Sequence, residues 1–402
     1  MPSIQSLGQP LVFKVNQQST VLEVPPHVHG EIAIRLKVRA LEGMQKEAIV
    51  HHEPSNTIWR MVSDEGPYLN GTDLAPYPLA FYAAGMAFSL ISESVRHAET
   101  YGIKITSLSL LQDNFYTMEG SAIRGDMMAG ALPTEITVRI SADAPQETLV
   151  NLIQLAEASS PPQAYMRDLL KNTFALSQNG RGLDVAPVNP SPARLHEDPE
   201  PHFEALAPLD PSEYLPDIIT KLTAAEVKHG VEGGAGSSLK SEQKRTLHIH
   251  TEGLLRDDGL KEARVQLFHP IGSTFKFISD ETSDGAPPSL AYLSAGVGFC
   301  YMTQLGRYAN IVKLGLNSCS IVQDNVFTLS GSARDENLRA GAKPVDTHLF
   351  VRLDGTDESA RKLLKLGEQT CFLHAAMRTS NRTQLRAEIN ETRVEIDAAD
   401  DT

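Results

Sequence analysis

Apolar and polar residues alternate through Ile32-Ala33-Ile34-Arg35-Leu36-Lys37-Val38, the period of two expected of a half-buried strand. The pattern then changes. Residues 79–101 and 290–312 are rich in Ala, Leu and Met and free of Pro, which predicts in each a buried helix of about five or six turns. Alternation returns at 107–117 and 318–328 and ends in Gly-Ser, a strand followed by a turn. A further strand is expected after an Ala-Gly-Ala-x-Pro loop. Residues 144–158 and 356–370 then read as amphipathic helices, followed by short helices from near Pro162 and Cys371. The expected fold class is α+β, with an antiparallel sheet and a long central helix occurring twice.

The two occurrences are related residue by residue. Gln112-Asp113-Asn114-Phe115-Tyr116-Thr117 recurs 211 positions later as Gln323-Asp324-Asn325-Val326-Phe327-Thr328. At the same offset Gly120-Ser121-Ala122 faces Gly331-Ser332-Ala333, and Ala84-Gly85 faces Ala295-Gly296. Arg96 likewise faces Arg307. Earlier, Lys46-Glu47-Ala48 faces Lys261-Glu262-Ala263 at an offset of 215, so loop lengths differ there. The expected division is residues 1–180 and 246–402 as two copies of one domain. Residues 181–245 read as a linker rich in Pro and acidic residues, ending in Gly233-Gly234-Ala235-Gly236-Ser237-Ser238. Helical spacing of Ile218, Leu222 and Val227 predicts a short helix within 214–229.

With 402 residues and 41% hydrophobic content, the chain can bury a core in each half. A formal net charge of −14 and the lack of a basic stripe argue against nucleic-acid or anionic-membrane partners, because phosphate binding needs concentrated Lys and Arg. Met-Pro-Ser-Ile-Gln-Ser has no basic region before an apolar core, and no apolar run reaches the roughly 20 residues of a membrane span. A cytoplasmic protein is expected. Three cysteines make no disulfide framework and fit a reducing compartment.

Cys300 lies in the helix at 290–312, and Cys371 at the junction of the last two helical segments. At the repeat offset the first half has Ser89 and Ser160. Taken singly, each cysteine reads as a buried small hydrophobe, and Cys319, opposite Leu108 on a strand, reads that way outright. Replacement of the other two by the same isostere points to positions that face one another. Arg307, seven residues after Cys300, and His374, three after Cys371, share a helical face with their cysteines and could favour a thiolate. Arg307 keeps its counterpart Arg96 in the half without cysteines, which also fits a structural role. His374 faces Gln163 and so accompanies the thiol.

Ser294-Ala295-Gly296-Val297-Gly298-Phe299-Cys300-Tyr301-Met302 and Gly367-Glu368-Gln369-Thr370-Cys371-Phe372-Leu373-His374 resemble the cysteine segments of the OsmC and organic hydroperoxide resistance family. The resemblance extends over both halves except the linker. It implies two tandem OsmC-like domains forming an intramolecular pseudo-dimer with one site retired. It also implies a thiol-dependent peroxidase, with Cys300 attacking the peroxide, Cys371 resolving the sulfenic acid, and an external dithiol as reductant. Cys300, Cys371 and His374 are thus the candidate catalytic residues, with Arg307, Ser89 and Ser160 as substrate-binding or supporting positions. The family also implies a glutamate about three turns before the first cysteine and an arginine from an N-terminal loop. Pro288-Ser289-Leu290-Ala291 offers no such carboxylate, and no arginine can be assigned. Two alternatives follow: a non-redox cysteine nucleophile acting on a small electrophile, and a binding or scaffold protein with relic cysteines.

The remaining motifs read more plainly. Gln-Asp-Asn, present in both halves, fits a strand-end turn or an interface between copies. His27-Val28-His29 and His248-Ile249-His250 put two imidazoles on one face of a strand, a spacing zinc sites use, but no third ligand is apparent and no metal is expected. Asp64-Glu65 and Asp280-Glu281 read as solvated turn residues. No cofactor is expected, and homo-oligomer formation is compatible with these features.

Overall fold

A computed structural model describes residues 1–17, 23–225, 243–332 and 337–396. The Gly-Ser run at 233–238, Val227 and Ala333 lie outside the described residues. The chain opens with a short α1 (Ile4–Leu7), β1 (Val12–Lys14), β2 (Ile32–Ala40), β3 (Lys46–His52) and β4 (Thr57–Ser63). The central helix α2 (Pro78–Tyr101) and the long β5 (Ile105–Gly120) follow. Next come β6 (Met128–Ala131), β7 (Glu135–Ala142), α3 (Gln146–Ser159), α4 (Pro161–Arg167) and β8 (Thr173–Gln178). The connecting stretch holds β9 (Arg181–Leu183), α5 (Glu200–Glu204) and β10 (Ile219–Thr223).

The second half repeats the order with β11 (Gln243–Leu255), β12 (Lys261–His269), β13 (Thr274–Ser279), α6 (Ser289–Ile311) and β14 (Gly315–Ser330). It ends with β15 (Arg339–Ala342), β16 (Asp346–Asp354), α7 (Asp357–Thr370), α8 (Phe372–Arg378), β17 (Gln384–Ile389) and β18 (Thr392–Glu395).

Neither half builds a sheet alone. Among the described residues the strands form two nine-stranded sheets, ordered β1-β4-β3-β2-β14-β16-β8-β9 and β10-β13-β12-β11-β5-β7-β17-β18, with β15 on β14 and β6 on β5. The first half thus gives β5 and β7 to the sheet begun by the second half's hairpins, and the second half returns β14 and β16. The registers correspond: Asp324 lies opposite Arg35 in one sheet, and Asp113 opposite His250 in the other. Gln-Asp-Asn therefore sits in mid-strand at the seam between halves, not at a strand-end turn. Gln112 and Asn114 point inward, where Gln112 Nε2 donates to the Ala83 carbonyl at 3.1 Å and Asn114 Nδ2 to Thr134 Oγ1 at 3.0 Å.

The central helices lie between the sheets. Pro78 starts α2 where a missing N–H costs nothing, and Gly102, at φ +67°, closes it in the left-handed conformation that a Cβ disfavours. By length and composition α2 could cross a membrane, but 83% of its most apolar window is buried inside the protein. It crosses α6 at the paired glycines of the repeat. A Cβ on Gly85 would lie 2.6 Å from the Leu293 backbone nitrogen, and one on Gly296 2.6 Å from that of Tyr82. Phe81 packs there against Phe277 and Phe299, with ring centroids 5.4 and 5.1 Å apart.

The connecting stretch departs from expectation. The segment predicted as a helix within 214–229 holds β10 instead, paired with the open edge of β13. Ile218 and Ile219 are β-branched and buried, and an edge with unpaired backbone groups recruits such a segment as a strand. Phe203 of α5 packs with Phe13 and Ile49.

Gly85→Ala and Gly296→Ala should each destabilise the protein by about 1–3 kcal/mol, because the obstructing atoms belong to backbone. Gly306→Ala, whose Cβ meets nothing within 4 Å, is the control and should be neutral or slightly stabilising. Denaturant midpoints of the three variants decide the matter; equal midpoints would contradict the close crossing.

Candidate active site

Cys300 lies midway along α6, and Cys371 is the single extended residue between α7 and α8, ending one helix and starting the next. That kink turns its side chain toward α6. Cys371 donates its S–H to Cys300 Sγ at 3.5 Å, and both residues are buried. The corresponding pair in the first half also meets: Ser89 Oγ and Ser160 Oγ are 3.0 Å apart, so both halves have the same facing geometry with different chemistry. Burial, followed by the neighbouring Cys300 sulfur, pushes the Cys371 thiol well up, while the N–H groups of His374 and Leu373 oppose the shift. Cys319 packs against Met302 Sδ at 3.9 Å, and burial pushes its thiol up to about 12.

Cys300 borders a cavity of about 20 Å³, room for one water, with a largely apolar wall that includes Leu69, Tyr77, Leu79 and Phe372. Its polar lining comes from both halves. Glu65, from the loop after β4, accepts from Thr303 Oγ1 at 2.6 Å and from the Tyr68 hydroxyl at 3.2 Å, and Lys46 Nζ lies 3.6 Å away. Arg245, near the start of β11, lies over the Phe372 ring, with its guanidinium carbon 5.8 Å from the centroid. Arg307 donates to Gln304 Oε1 at 3.0 Å. Burial depresses the pKa of Arg245 well below its ordinary value, and Arg307 beside it adds to this, while Tyr68 and Glu65 oppose it. Burial also lowers Lys46 and Arg307, but Glu65 and a Cys300 thiolate favour the charged form of both.

A carboxylate and a guanidinium, Glu65 and Arg245, therefore both border the cavity beside Cys300. The segment just before Cys300 has no carboxylate, whereas the exchanged topology delivers Glu65 from the other half. Asp64-Glu65 and Asp280-Glu281 are not solvated turn residues: Asp64, Glu65 and Asp280 are buried, and Glu281 is half-buried. Asp64 binds the N–H groups of Thr72 and Leu74 and shapes the loop that carries Glu65. At the corresponding place near Ser89 and Ser160, the second half supplies Glu281, which accepts from the Ser289 N–H at 2.7 Å, and Gly30 occupies the position of Arg245. That place has serines for the thiols and a glycine where the other has Arg245.

His374 does not act as a cation beside Cys371. Burial first, and Arg378 second, hold it neutral with a pKa of about 3. Neither ring nitrogen has a hydrogen-bond partner among the described residues, and the ring packs 5.3 Å from Tyr301 and 5.6 Å from Phe174.

Residues 282–386, a segment containing both cysteines, match the family model described as OsmC-like protein. Comparison with curated proteins gave no match. Among solved structures, the chain is similar to an OsmC-like hydroperoxide resistance protein from Jannaschia sp. CCS1, at 21% identity over 37% of this chain and 97% of that one, with a TM-score of 0.26. Residues 282–386 of this chain are an OsmC-like domain.

Proposed function

We propose that the protein reduces organic hydroperoxides with Cys300 and Cys371, at a single site that draws residues from both halves. The observation that carries this reading is the 3.5 Å contact of two free thiols beside a cavity flanked by Glu65 and Arg245. The Cys300 thiolate attacks the outer peroxide oxygen and the O–O bond breaks. The alkoxide leaves with a proton as an alcohol, and Cys300 becomes a sulfenic acid. Cys371 displaces its hydroxyl as water and closes a disulfide, which an external dithiol reduces with two electrons. No bound cofactor enters this cycle. It needs a reducing compartment such as the cytoplasm.

Cys300 suits the attacking role because it borders the cavity and accepts the hydrogen bond from Cys371. The space holds one water-sized group, where a peroxide oxygen can sit, with apolar side chains around it. Arg245 is suited to orient the peroxide, and Glu65, positioned by Thr303 and Lys46, to share the proton. His374 is a packing residue in this reading.

Mixing the reduced protein with cumene hydroperoxide should consume two of its three free thiols rapidly and sustain turnover with a dithiol. Cys300→Ser should abolish both, and Cys371→Ser should react once and stall as a trappable sulfenic acid. Inertness to hydroperoxide with retained reactivity toward an electrophilic carbon would favour the non-redox nucleophile instead; inertness to both would favour relic cysteines.

Glu65→Gln and Arg245→Met should each slow peroxide attack by about 10²–10³-fold, the scale for one preorganised polar group. Stopped-flow rates on folded variants, checked by circular dichroism, measure this.

Because His374 stays neutral to about pH 3 in the fold but titrates near 6.5 when unfolded, the unfolded chain binds more protons between those values. Stability is therefore lost as pH falls through that window. His374→Gln should remove about 2 kcal/mol of the stability loss between pH 7 and 5 while preserving turnover. Urea midpoints at the two pH values test the first part, and a dithiol-coupled peroxide assay the second.

A further inference from the structure

We propose that Asp113, His248 and His250 form a binding site for a divalent transition-metal ion of zinc type, separate from the thiol site. His248 and His250 project from one face of β11, and Asp113 lies directly opposite His250 on β5. Asp113 Oδ1 is 2.6 Å from His248 Nε2 and 2.8 Å from His250 Nδ1, and the three ligand atoms lie within 4.8 Å of one another. Tetrahedral zinc with bonds of about 2.0–2.1 Å holds its ligand atoms roughly 3.3–3.5 Å apart, so small rotations of these side chains make room for the ion. Two imidazoles and a carboxylate suit zinc, cobalt or nickel better than calcium or magnesium, which prefer oxygen.

The surroundings restrict the imidazoles. His248 stacks on Phe115 with ring centroids 4.6 Å apart, and His250 stacks on Phe268 at the same distance. His250 Nε2 lies 4.0 Å from Glu252, a carboxylate placed to orient a ligating ring from behind. The three side chains are between 18% and 29% exposed, so solvent can supply a fourth ligand.

The equivalent place in the other sheet is an internal control. There Asp324 of β14 is satisfied by Arg35 of β2, whose guanidinium donates to both carboxylate oxygens at 2.7 and 2.8 Å, and Ala33 stands at the position of His248. A guanidinium would suffice to neutralise this aspartate structurally. Around Asp113, the corresponding carboxylate, β11 instead has two imidazole nitrogens. Since Asp113 belongs to the first half and the histidines to the second, a bound ion would also clip the exchanged strands together.

The test is a cobalt(II) titration of the full-length reduced protein carrying Cys300→Ser, followed by zinc displacement. One equivalent of cobalt should bind with visible bands of nitrogen and oxygen ligation and no sulfur charge-transfer band. Zinc should displace it and raise the thermal midpoint in a concentration-dependent way. The double variant His248→Ala/His250→Arg reproduces the arrangement of the other sheet, so it should fold and lose that equivalent and the thermal shift. Failure of the Cys300→Ser protein to bind cobalt or zinc, or undiminished binding by the folded double variant, would overturn the proposal.

Discussion

The structure depends on one close contact, the crossing of the two central helices at Gly85 and Gly296. Backbone meets backbone there, and any side chain would force the helices apart. With the helices that near, each sheet can reach across and accept strands from the other half. The exchange is reciprocal, so the halves share a core. The polar seam of Gln112 and Asn114 ties the first half's exchanged strand to α2 and the following loop, and the buried contact of Tyr165 with Asn325 at 2.9 Å joins the halves directly.

That exchange determines where chemistry can occur. Glu65 reaches Thr303 and the neighbourhood of Cys300 only because the first half's hairpins lie over α6. The result is a mostly desolvated group of one carboxylate, Lys46, Arg245 and Arg307 beside two thiols. Buried charges of this kind are costly unless each has a partner, and removing one member typically costs about 3–5 kcal/mol. Such an arrangement is retained more readily for a task than for stability. The first half shows the alternative, in which serines replace the thiols and a glycine replaces the strand arginine.

Much of this was legible in the sequence. The helices at 79–101 and 290–312 were marked by their length and composition, and observed bounds differ by a residue. The thiol positions followed from paired replacement by Ser89 and Ser160, because a duplicated chain supplies its own comparison. What stayed hidden was partnership across the halves. Period-two alternation says which face of a strand is buried but not which strand lies beside it. Glu65 and Arg245 were missed for that reason, although Asp64-Glu65 and its counterpart Asp280-Glu281 were a visible signal. His374 misled because sequence spacing reports proximity and not burial, and burial keeps that imidazole neutral. Asp113 as a third ligand was equally hidden, although the repeated Gln-Asp-Asn block carried it in view.

The most direct test of the central claim is a map of cysteine linkages after one equivalent of organic hydroperoxide, read by mass spectrometry of an unreduced digest. A peptide pair joined through Cys300 and Cys371, with Cys319 still free, is the predicted result. Recovery of both cysteines unlinked after the peroxide has been consumed, or a linkage that includes Cys319, would contradict it.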